Sequence, residues 1–377
     1  MHILIAPNAF KNSLPAAEAA QAIQSGLMQS KLQCTTECFP VGDGGDGTGE
    51  LIIKRCGGTF ETEQVHDPAG RTITTSFGLI DNGTTAVIEM ANASGLRLLK
   101  DTVPDPLHAT SFGTGELIKQ ALSKGVNKII IGMGGSATVD GGAGILSALG
   151  VRFLNTEGKV LGNLPEMLVD LADIDLADID ENVHKCFFTI LCDADITLSG
   201  ENGAAAVFGP QKGASAEGVK MLEKCLEKFS AIAFQQTGKD ISQLKYGGTA
   251  GGAAAGLSAF LNAELVNGID YFLQLTDFDE ALHKSDIVIT GEGSIDEQTL
   301  KGKGPFGVAL RAKKNGKKVI GLAGKVPLQP SDLQQYFDVL SAIGNEPADI
   351  QTAMENTAAN LIRTAIAAGN LLALNHL

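Results

Sequence analysis

HILIA, at residues 2–6, is a continuous apolar run of the kind that forms a strand buried on both faces. A loop follows it, and then a helical pattern at 16–28 in which apolar residues recur every three or four positions. A second predicted strand, at 37–41, runs into a glycine-rich loop and a further helix at 50–54. Two successive strand–loop–helix units predict an α/β fold with a parallel sheet.

The same pattern returns near the C-terminus. Residues 286–290 have the apolar character of another buried strand, a helix is predicted at 305–313, and a further strand at 318–322. We therefore predict that the two chain ends form one doubly wound, flavodoxin- or Rossmann-like parallel-sheet domain, from residues 1–56 and 284–377.

The middle of the chain has a different texture. Residues 57–99 contain short segments in which apolar and polar residues alternate, and they are rich in Thr and Gly, which predicts antiparallel strands. Residues 128–131 form an apolar run that is typical of a buried strand. We predict that residues 57–283 form an inserted mixed α/β domain, with the active site in the cleft between the two domains.

Composition excludes several classes of protein. The chain has 377 residues and a formal net charge of −14, without the basic stripe that a nucleic-acid-binding protein needs. We found no run of about 18 apolar residues and no signal-peptide pattern, so we predict a cytoplasmic protein without a membrane span. The six Cys residues form no C-x-x-C pair, which argues against a zinc site.

The first glycine-rich loop is DGGDGT at residues 43–48. Asp43 and Asp46 are candidate ligands for Mg²⁺ or for substrate hydroxyls, and Gly44 and Gly45 are candidate binding positions. The alternative is a plain turn that uses Asp and Gly for positive φ, but the loop has more glycines than one turn requires.

The second loop, 132–137, follows the predicted strand 128–131 and has the sequence GMGGSA. It fits the pattern G-x-G-x-x-A, so a dinucleotide fingerprint is one interpretation. The loop is longer and more polar than that fingerprint, and a nest of amides from Gly134, Gly135 and Ser136 around phosphates is the other.

Two further loops bring charges to the ends of apolar runs. Gly291, Glu292 and Asp296 follow the strand predicted at 286–290, close in sequence to Lys303, and are candidate binding residues.

Asp193 follows the apolar run 187–192, where a general base would be well placed. Lys212, in a later glycine-rich segment, is a candidate phosphate contact. A structural role is the alternative for both residues.

Common sequence motifs for nucleotide binding and for nucleophilic catalysis are missing from the sequence. Nothing matches the Walker A pattern, the protein-kinase H-R-D and D-F-G motifs, or a G-x-S-x-G nucleophile elbow.

These loops, in this order, resemble those of the bacterial glycerate kinase family. The matching segments are APNAFKNSL at 6–14, DGGDGT at 43–48, GGSAT at 134–138 with DGGAG at 140–144, residues 203–214, GEG at 291–293, Ile295-Asp296, Gln298-Thr299 and Gly302-Lys303. The chain departs from the pattern where Asn8-Ala9 replaces Asp-Ser and where Ser294 replaces an Arg. The missing Arg weakens a direct transfer of phosphate-binding roles.

The resemblance implies a kinase that moves the γ-phosphoryl group of ATP, with Mg²⁺, onto glycerate, and 2-phosphoglycerate as the product. Chemistry then gives Lys11, Lys303 and Asp193 as candidate catalytic residues and Ser13 as a candidate binding residue. Two alternatives are an NAD(P)-dependent hydroxy-acid oxidoreductase and a non-catalytic sensor that binds a sugar acid.

Overall fold

A computed structural model describes residues 1–297, 299–329 and 331–374, with the backbone alone for Lys301. Gln298, part of the family pattern above, lies outside the described residues. The strands are β1 (His2–Ile5), β2 (Thr35–Cys38), β3 (Thr59–His66), β4 (Thr72–Ile80), β5 (Thr85–Glu89), β6 (Lys128–Gly132), β7 (Arg152–Leu154), β8 (Asp173–Asp175), β9 (Phe187–Cys192), β10 (Glu264–Asn267), β11 (Ile287–Ser294), β12 (Lys318–Lys325) and β13 (Val339–Ala342).

Helices alternate with these strands along most of the chain. They are α1 (Ala16–Gln29), α2 (Thr48–Arg55), α3 (Met90–Ser94), α4 (Phe112–Ser123), α5 (Ala143–Ala148), α6 (Ala204–Phe208), α7 (Ala216–Thr237), α8 (Ala253–Leu261), α9 (Gly268–Leu275), α10 (Phe278–Lys284), α11 (Gly304–Lys314), α12 (Ile350–Glu355) and α13 (Thr357–Leu374).

The chain divides into two compact units. The first contains Met1–Asp43 and Ile269–Leu377, and the second contains Gly44–Gly268. These limits differ from the predicted boundaries at 56/57 and 283/284. The reason is helix packing, which a linear pattern does not reveal: α2 packs on β4 and β5 of the second unit, whereas Phe278 of α10 packs its ring 5.1 Å from that of Phe39 in the first.

The first unit is built on an all-parallel sheet in the order β13-β12-β11-β1-β2, which confirms the parallel α/β fold. β1 lies between β11 and β2, with Ile3 opposite Ile287 and Ile5 opposite Cys38. Ile3 and Ile5 are fully buried, as the continuous apolar run predicted. The carboxyl ends of all these strands therefore meet at one edge of the sheet.

β11 is longer than the sequence predicted. Pairing with β12 continues through Gly291 opposite Leu322 to Ser294 opposite Lys325, so the segment expected to be a glycine-rich loop begins as strand. A Cβ at Gly291 would lie 2.0 Å from the carbonyl oxygen of Leu322. The glycine is thus needed for close strand approach, a use of Gly that propensity alone does not anticipate.

The second unit has a mixed sheet in the order β10-β9-β6-β5-β4-β3. β3 pairs antiparallel with β4, and β4 with β5, which confirms the antiparallel strands predicted in the Thr- and Gly-rich segment. β5, β6, β9 and β10 are parallel to one another, so their carboxyl ends form a second shared edge.

Within the part of the chain that the structure describes, one helix has the length and apolar composition of a membrane span, although the sequence was expected to contain no such stretch. This helix, α13, packs along α1, and its Leu361 and Ala365 belong to the core of the first unit. A Cβ at Gly26 of α1 would lie 2.4 Å from the carbonyl oxygen of Ile362. Packing against α1 accounts for the buried part of α13, which is 28% of its apolar window.

Candidate active site

At the sheet edge of the first unit, the loops after β1 and β2 meet β11 and α11. The amide of Asn8 donates to the carbonyl oxygen of Gly291 at 2.8 Å, and its side-chain Nδ2 donates to Oδ2 of Asp43 at 2.9 Å. The amide of Gly304, the first residue of α11, lies 3.3 Å from the same Asp43 oxygen. Asp43 thus lies at the start of a helix, where a negative charge is stabilised.

Glu292 is the buried acid of this edge. It is 7% exposed, and its Oε1 accepts a hydrogen bond from the hydroxyl of Thr299 at 3.1 Å. Burial above all, together with the nearby carboxylates of Asp43 and Asp296, raises its pKa to about 7 against the opposing effect of Lys303. The sequence-predicted residues Asp43, Glu292, Asp296 and Lys303 are therefore close enough to influence one another.

The other predicted residues of the first unit differ in their surroundings. Lys11 has an exposed side chain, and its backbone nitrogen would lie 3.8 Å from a Cβ placed on Gly293, so its loop borders β11. The hydroxyl of Ser13 donates a hydrogen bond to the carbonyl oxygen of Met354 at 2.7 Å, and it also lies 2.6 Å from Oγ1 of Thr357. These contacts give Ser13 a structural use in holding the C-terminal helices, and its binding role stays a prediction.

In the second unit, the glycine-rich loop at 44–47 lies across the carboxyl ends of β6 and β9. Gly44 has φ +94°, and a Cβ there would lie 2.7 Å from the carbonyl oxygen of Leu191. A Cβ on Gly134 would lie 2.3 Å from Cα of Gly45, and the amide of Gly134 donates to the carbonyl of Gly44 at 2.9 Å. Close backbone contact thus explains Gly44 and Gly134, whereas Gly47 has φ +91° and open space where a Cβ would lie.

The loop after β6 is held by a buried acid, Asp140. Its carboxylate accepts hydrogen bonds from the amide and hydroxyl of Ser111 at 3.0 and 2.6 Å, and from the amides of Gly142 and Gly144 at 3.0 and 3.2 Å. Helix α5 begins only at Ala143. A dinucleotide fingerprint opens a helix directly after the strand, so this interpretation of the 132–137 loop was wrong.

The predicted amide nest is partly engaged inside the protein. The Gly134 amide is used in the bond to Gly44. Among the described residues, the amides of Gly135 and Ser136 have no backbone or side-chain acceptor. Gly135 is exposed and has φ +73°, which is compatible with an anion-binding concavity.

Lys212 lies beneath this loop. Its side chain is 4% exposed, and Nζ donates to Oγ of Ser136 at 2.8 Å and to the carbonyl of Thr138 at 2.7 Å. Burial lowers its pKa to about 7, although the carboxylates of Asp140 and Asp193 oppose this effect. Lys212 therefore holds the loop from inside, and direct contact with a phosphate stays a prediction.

Asp193 follows β9 directly and is half-buried. Its charge acts on Lys212, and it is one of the causes that raise the pKa of the neighbouring Cys192 thiol. The acid predicted as a base and the lysine predicted as a phosphate contact thus belong to one electrostatic group at the carboxyl edge of the second sheet.

Sequence reasoning missed a third buried acid, Glu89, at the end of β5. It is 8% exposed and accepts the amide of Gly49 at 2.8 Å; burial is the main cause that raises its pKa to about 7. Nearby, Nε of Arg97 lies 3.5 Å from Oδ2 of Asp46. The sequence does contain a signal for this residue, since Glu89 is the last residue of an apolar strand, and ligands bind at the carboxyl ends of strands in parallel sheets.

The predicted site residues fall into two groups. In the first unit they are Lys11, Ser13, Asp43, Gly291, Glu292, Asp296 and Lys303, and in the second they are Gly44, Gly45, Asp46, Gly134, Gly135, Ser136, Asp193 and Lys212. Within residues 1–297, 299–329 and 331–374, no three His, Cys, Asp or Glu side chains form a ready-made metal site.

Comparison with known proteins gives matches along nearly the whole chain. A family model described as the glycerate kinase family matches residues 3–373. The glycerate kinase of Bacillus subtilis is 41% identical over 366 residues, which are 97% of this chain and 96% of that protein. The glycerate 2-kinase of Escherichia coli is 41% identical over 361 residues, which are 94% of this chain and 95% of that protein.

A solved structure also matches. The crystal structure assigned as glycerate kinase 2 from Salmonella typhimurium superposes with a TM-score of 0.83 at 38% identity, and the match covers 100% of this chain and 99% of that one. The likeness thus holds for the path of the backbone as well as for the sequence.

Proposed function

Because the chain belongs to the glycerate kinase family, we propose that it transfers the γ-phosphoryl group of ATP to a hydroxyl of glycerate. Its relatives in Bacillus subtilis and Escherichia coli bear the names glycerate kinase and glycerate 2-kinase. The second name supports attack by the 2-hydroxyl, with 2-phosphoglycerate as the product. The observation that carries the proposal is this whole-length match combined with charged groups at the carboxyl ends of parallel strands.

The acidic edge of the first unit fits Mg²⁺. Its donors are the carboxylates of Asp43, Glu292 and Asp296, hard oxygen ligands close enough for two of them to raise the pKa of the third. Mg²⁺ is usually held by one or two carboxylates together with nucleotide phosphates, so a ready-made protein cage is not required. When bound with the nucleotide, the cation supplies charge neutralisation on the phosphate oxygens.

The cations at the same edge balance negative charge on the ligands. Lys11 is exposed and Lys303 lies near Glu292, and we assign to both the binding of phosphate oxygens or of the glycerate carboxylate. Asp43, and in the second unit Asp46, are the proposed contacts to Mg²⁺ or to glycerate hydroxyls. Asp46 would make this contact with the oxygens that its ion pair with Arg97 leaves available.

Backbone amides carry the corresponding role in the second unit. The amides of Gly135 and Ser136 would donate hydrogen bonds to phosphate oxygens, on a loop that Lys212 and Asp140 hold in place. A fixed loop is useful because phosphoryl transfer depends mostly on positioning and on electrostatic stabilisation.

Asp193 is the proposed general base. In the reaction, the glycerate hydroxyl oxygen forms a bond to the γ-phosphorus while the bond from that phosphorus to the oxygen of ADP breaks. The hydroxyl proton moves to a carboxylate oxygen of Asp193. The charge of this carboxylate acts on the buried ammonium of Lys212, so the proposed base and Lys212 belong to one electrostatic group.

The remaining expectations agree with this chemistry. We propose a cytoplasmic enzyme that acts on a small organic acid and requires no nucleic-acid or membrane partner. The formal net charge of −14 supports this, because a surface of this charge is unsuited to anionic polymers and lipids.

The test is an assay of ADP formation with ATP, Mg²⁺ and D- or L-glycerate, coupled to ³¹P NMR of the product. We expect ADP and a 2-phosphoglycerate signal in equal amounts, and no phosphorylated product from the control acid 3-hydroxypropionate, which lacks the 2-hydroxyl. ADP formation that does not depend on glycerate would refute the proposal. A 3-phosphoglycerate signal would refute the assignment of the 2-hydroxyl while leaving the kinase activity intact.

A further inference from the structure

Glu89 is a buried acid for which the reaction above has no assigned use. It ends β5, is 8% exposed, and points its carboxylate at the start of helix α2, where Oε1 accepts the amide of Gly49 at 2.8 Å. The residue at the N-cap of α2 is Gly47, which has φ +91° and no side chain to accept a hydrogen bond. Glu89 thus supplies from a neighbouring strand the cap that α2 lacks in its own sequence.

The contact is close and specific for glycine. A Cβ on Gly49 would lie 2.6 Å from Cγ of Glu89, so any larger residue at position 49 would displace the carboxylate. The amide of Gly44 donates to Oγ1 of Thr48 at 3.1 Å. One end of the loop at 44–47 is therefore bound to the first turn of α2, the turn that Glu89 caps.

A second tie comes from the segment after α3. Nε of Arg97 lies 3.5 Å from Oδ2 of Asp46, and Nη2 of Arg97 donates to Oδ1 of Asn92 at 2.5 Å. Glu89 and Asn92 both border a cavity of about 260 Å³ between α2 and the sheet. The 44–47 loop is thus held by groups on β5 and on the segment that follows it.

We propose that Glu89 is a positioning residue for phosphoryl transfer, which caps α2 internally and thereby fixes the 44–47 loop in the form that receives the substrate. This inference rests on the proposed function, because it assumes that the loop contacts substrate. A carboxylate at this helix start also makes the site unfavourable for a phosphate, which reserves phosphate binding for other amides such as those of Gly135 and Ser136.

The test compares the Glu89→Gln and Glu89→Ala variants with the wild-type chain, and uses Glu50→Gln as a matched control. Glu50 lies on the same helix and borders the same cavity, but its carboxylate is exposed and pairs with Lys54. Hydrogen exchange of the amides at 45–49 and steady-state kinetics with glycerate and MgATP are measured on each protein. Thermal melting identifies any variant that fails to fold.

We expect faster exchange at 45–49 in Glu89→Gln than in the wild type, and faster still in Glu89→Ala. The corresponding loss in kcat/KM for glycerate should be about tenfold for Glu89→Gln, in which a neutral amide oxygen replaces the carboxylate as acceptor. It should be larger for Glu89→Ala, which removes the acceptor altogether. Glu50→Gln should match the wild type in both measurements.

Faster exchange with unchanged kinetics would overturn the positioning role and leave Glu89 as a cap without catalytic consequence. Unchanged exchange at 45–49 would overturn the cap itself. The exchange measurement needs no turnover. A wild-type chain that does not phosphorylate glycerate would therefore refute the proposed function separately.

Discussion

The sheet edges of the two units bury ionisable groups of opposite charge. At the first edge the carboxyl of Glu292 is 7% exposed. The second edge also buries the carboxyls of Glu89 and Asp140, but it differs from the first in burying an ammonium group, that of Lys212, which is 4% exposed. The pKa of each is moved to about 7, upward for Glu292 and downward for Lys212, and burial is the main cause in both.

The residues around Glu292 and Lys212 indicate which kind of ligand each edge can bind. Glu292 lies near two further carboxylates, so that edge has an excess of negative charge that a divalent cation or ligand hydroxyls can balance. Lys212 instead donates two hydrogen bonds to a loop that presents backbone amides. The first edge is suited to a cation and the 134–138 loop of the second edge to an anion, and phosphoryl transfer needs both kinds of group.

Removing Mg²⁺ should have the largest effect. We expect excess EDTA to lower turnover by at least about a hundredfold, because phosphate charge would no longer be neutralised. The coupled ADP assay, with restoration by added MgCl₂, measures this. Unchanged turnover in EDTA would contradict the assignment of the acidic edge.

Measuring the restored turnover as a function of added MgCl₂ also tests the difference between the two edges. An Asp43→Asn variant should need a higher Mg²⁺ concentration for half-maximal turnover, whereas Lys212→Met should lower kcat and leave that concentration unchanged. An equal shift in both variants would show that the edges do not differ in the way proposed.

A smaller loss is expected from the cations of the first unit. Lys11→Ala and Lys303→Ala should each lower kcat/KM by about tenfold or more, because a charge-assisted hydrogen bond to phosphate or carboxylate is lost. Lys31→Ala is the control, since Lys31 is also an exposed lysine of the first unit. Kinetics of Lys11→Ala equal to those of the control would mean that Lys11 is a solvated surface residue.

The parallel strands and the positions of the sheet edges could be predicted from the sequence, because the residue patterns that mark them have a single physical explanation. Apolar runs such as 2–6 gave buried parallel strands, and acidic or glycine-rich segments directly after such runs marked the sheet edges. The grouping of Asp43, Glu292, Asp296 and Lys303 follows from that rule, because the carboxyl ends of all strands of a parallel sheet lie at the same edge.

The rest depended on packing between distant segments. Gly291 suggested a loop, but it belongs to β11 because Leu322 of β12 comes close to it. Glu89 and Lys212 acquire their roles from burial against Gly49 and Ser136, partners that no linear spacing reveals. The domain limits shifted for the same reason, since the sequence shows that a helix forms but not which sheet it covers.

The smallest predicted effect is on stability, and its sign should differ between Glu292 and Lys212. Glu292 has its pKa raised from 4.5 to about 7, so the folded state binds more protons between these values and stability should fall as pH rises through that window. Lys212 has its pKa lowered from 10.5 to about 7. The unfolded state then binds more protons, so stability should increase from about pH 7 upward.

Thermal unfolding of variants separates these two contributions. Relative to the wild type, Glu292→Gln should lose the decrease in Tm between pH 5 and 7, and Lys212→Met should lose the increase between pH 7 and 9. One kcal/mol corresponds to roughly 2–4 °C for domains of this size. Parallel Tm curves for wild type and variant would contradict the assigned pKa of that group.

Hydrogen exchange with ligands tests most directly the central claim that both edges serve one reaction. The amides at 43–48, 134–138 and 291–296 would be followed with glycerate, with a non-hydrolysable ATP analogue and Mg²⁺, and with all of them together. We expect protection in all three segments, greater with the full set than with either ligand alone. If 291–296 stayed unprotected while the other two segments responded, the first unit would have no part in the site, and the account would be contradicted.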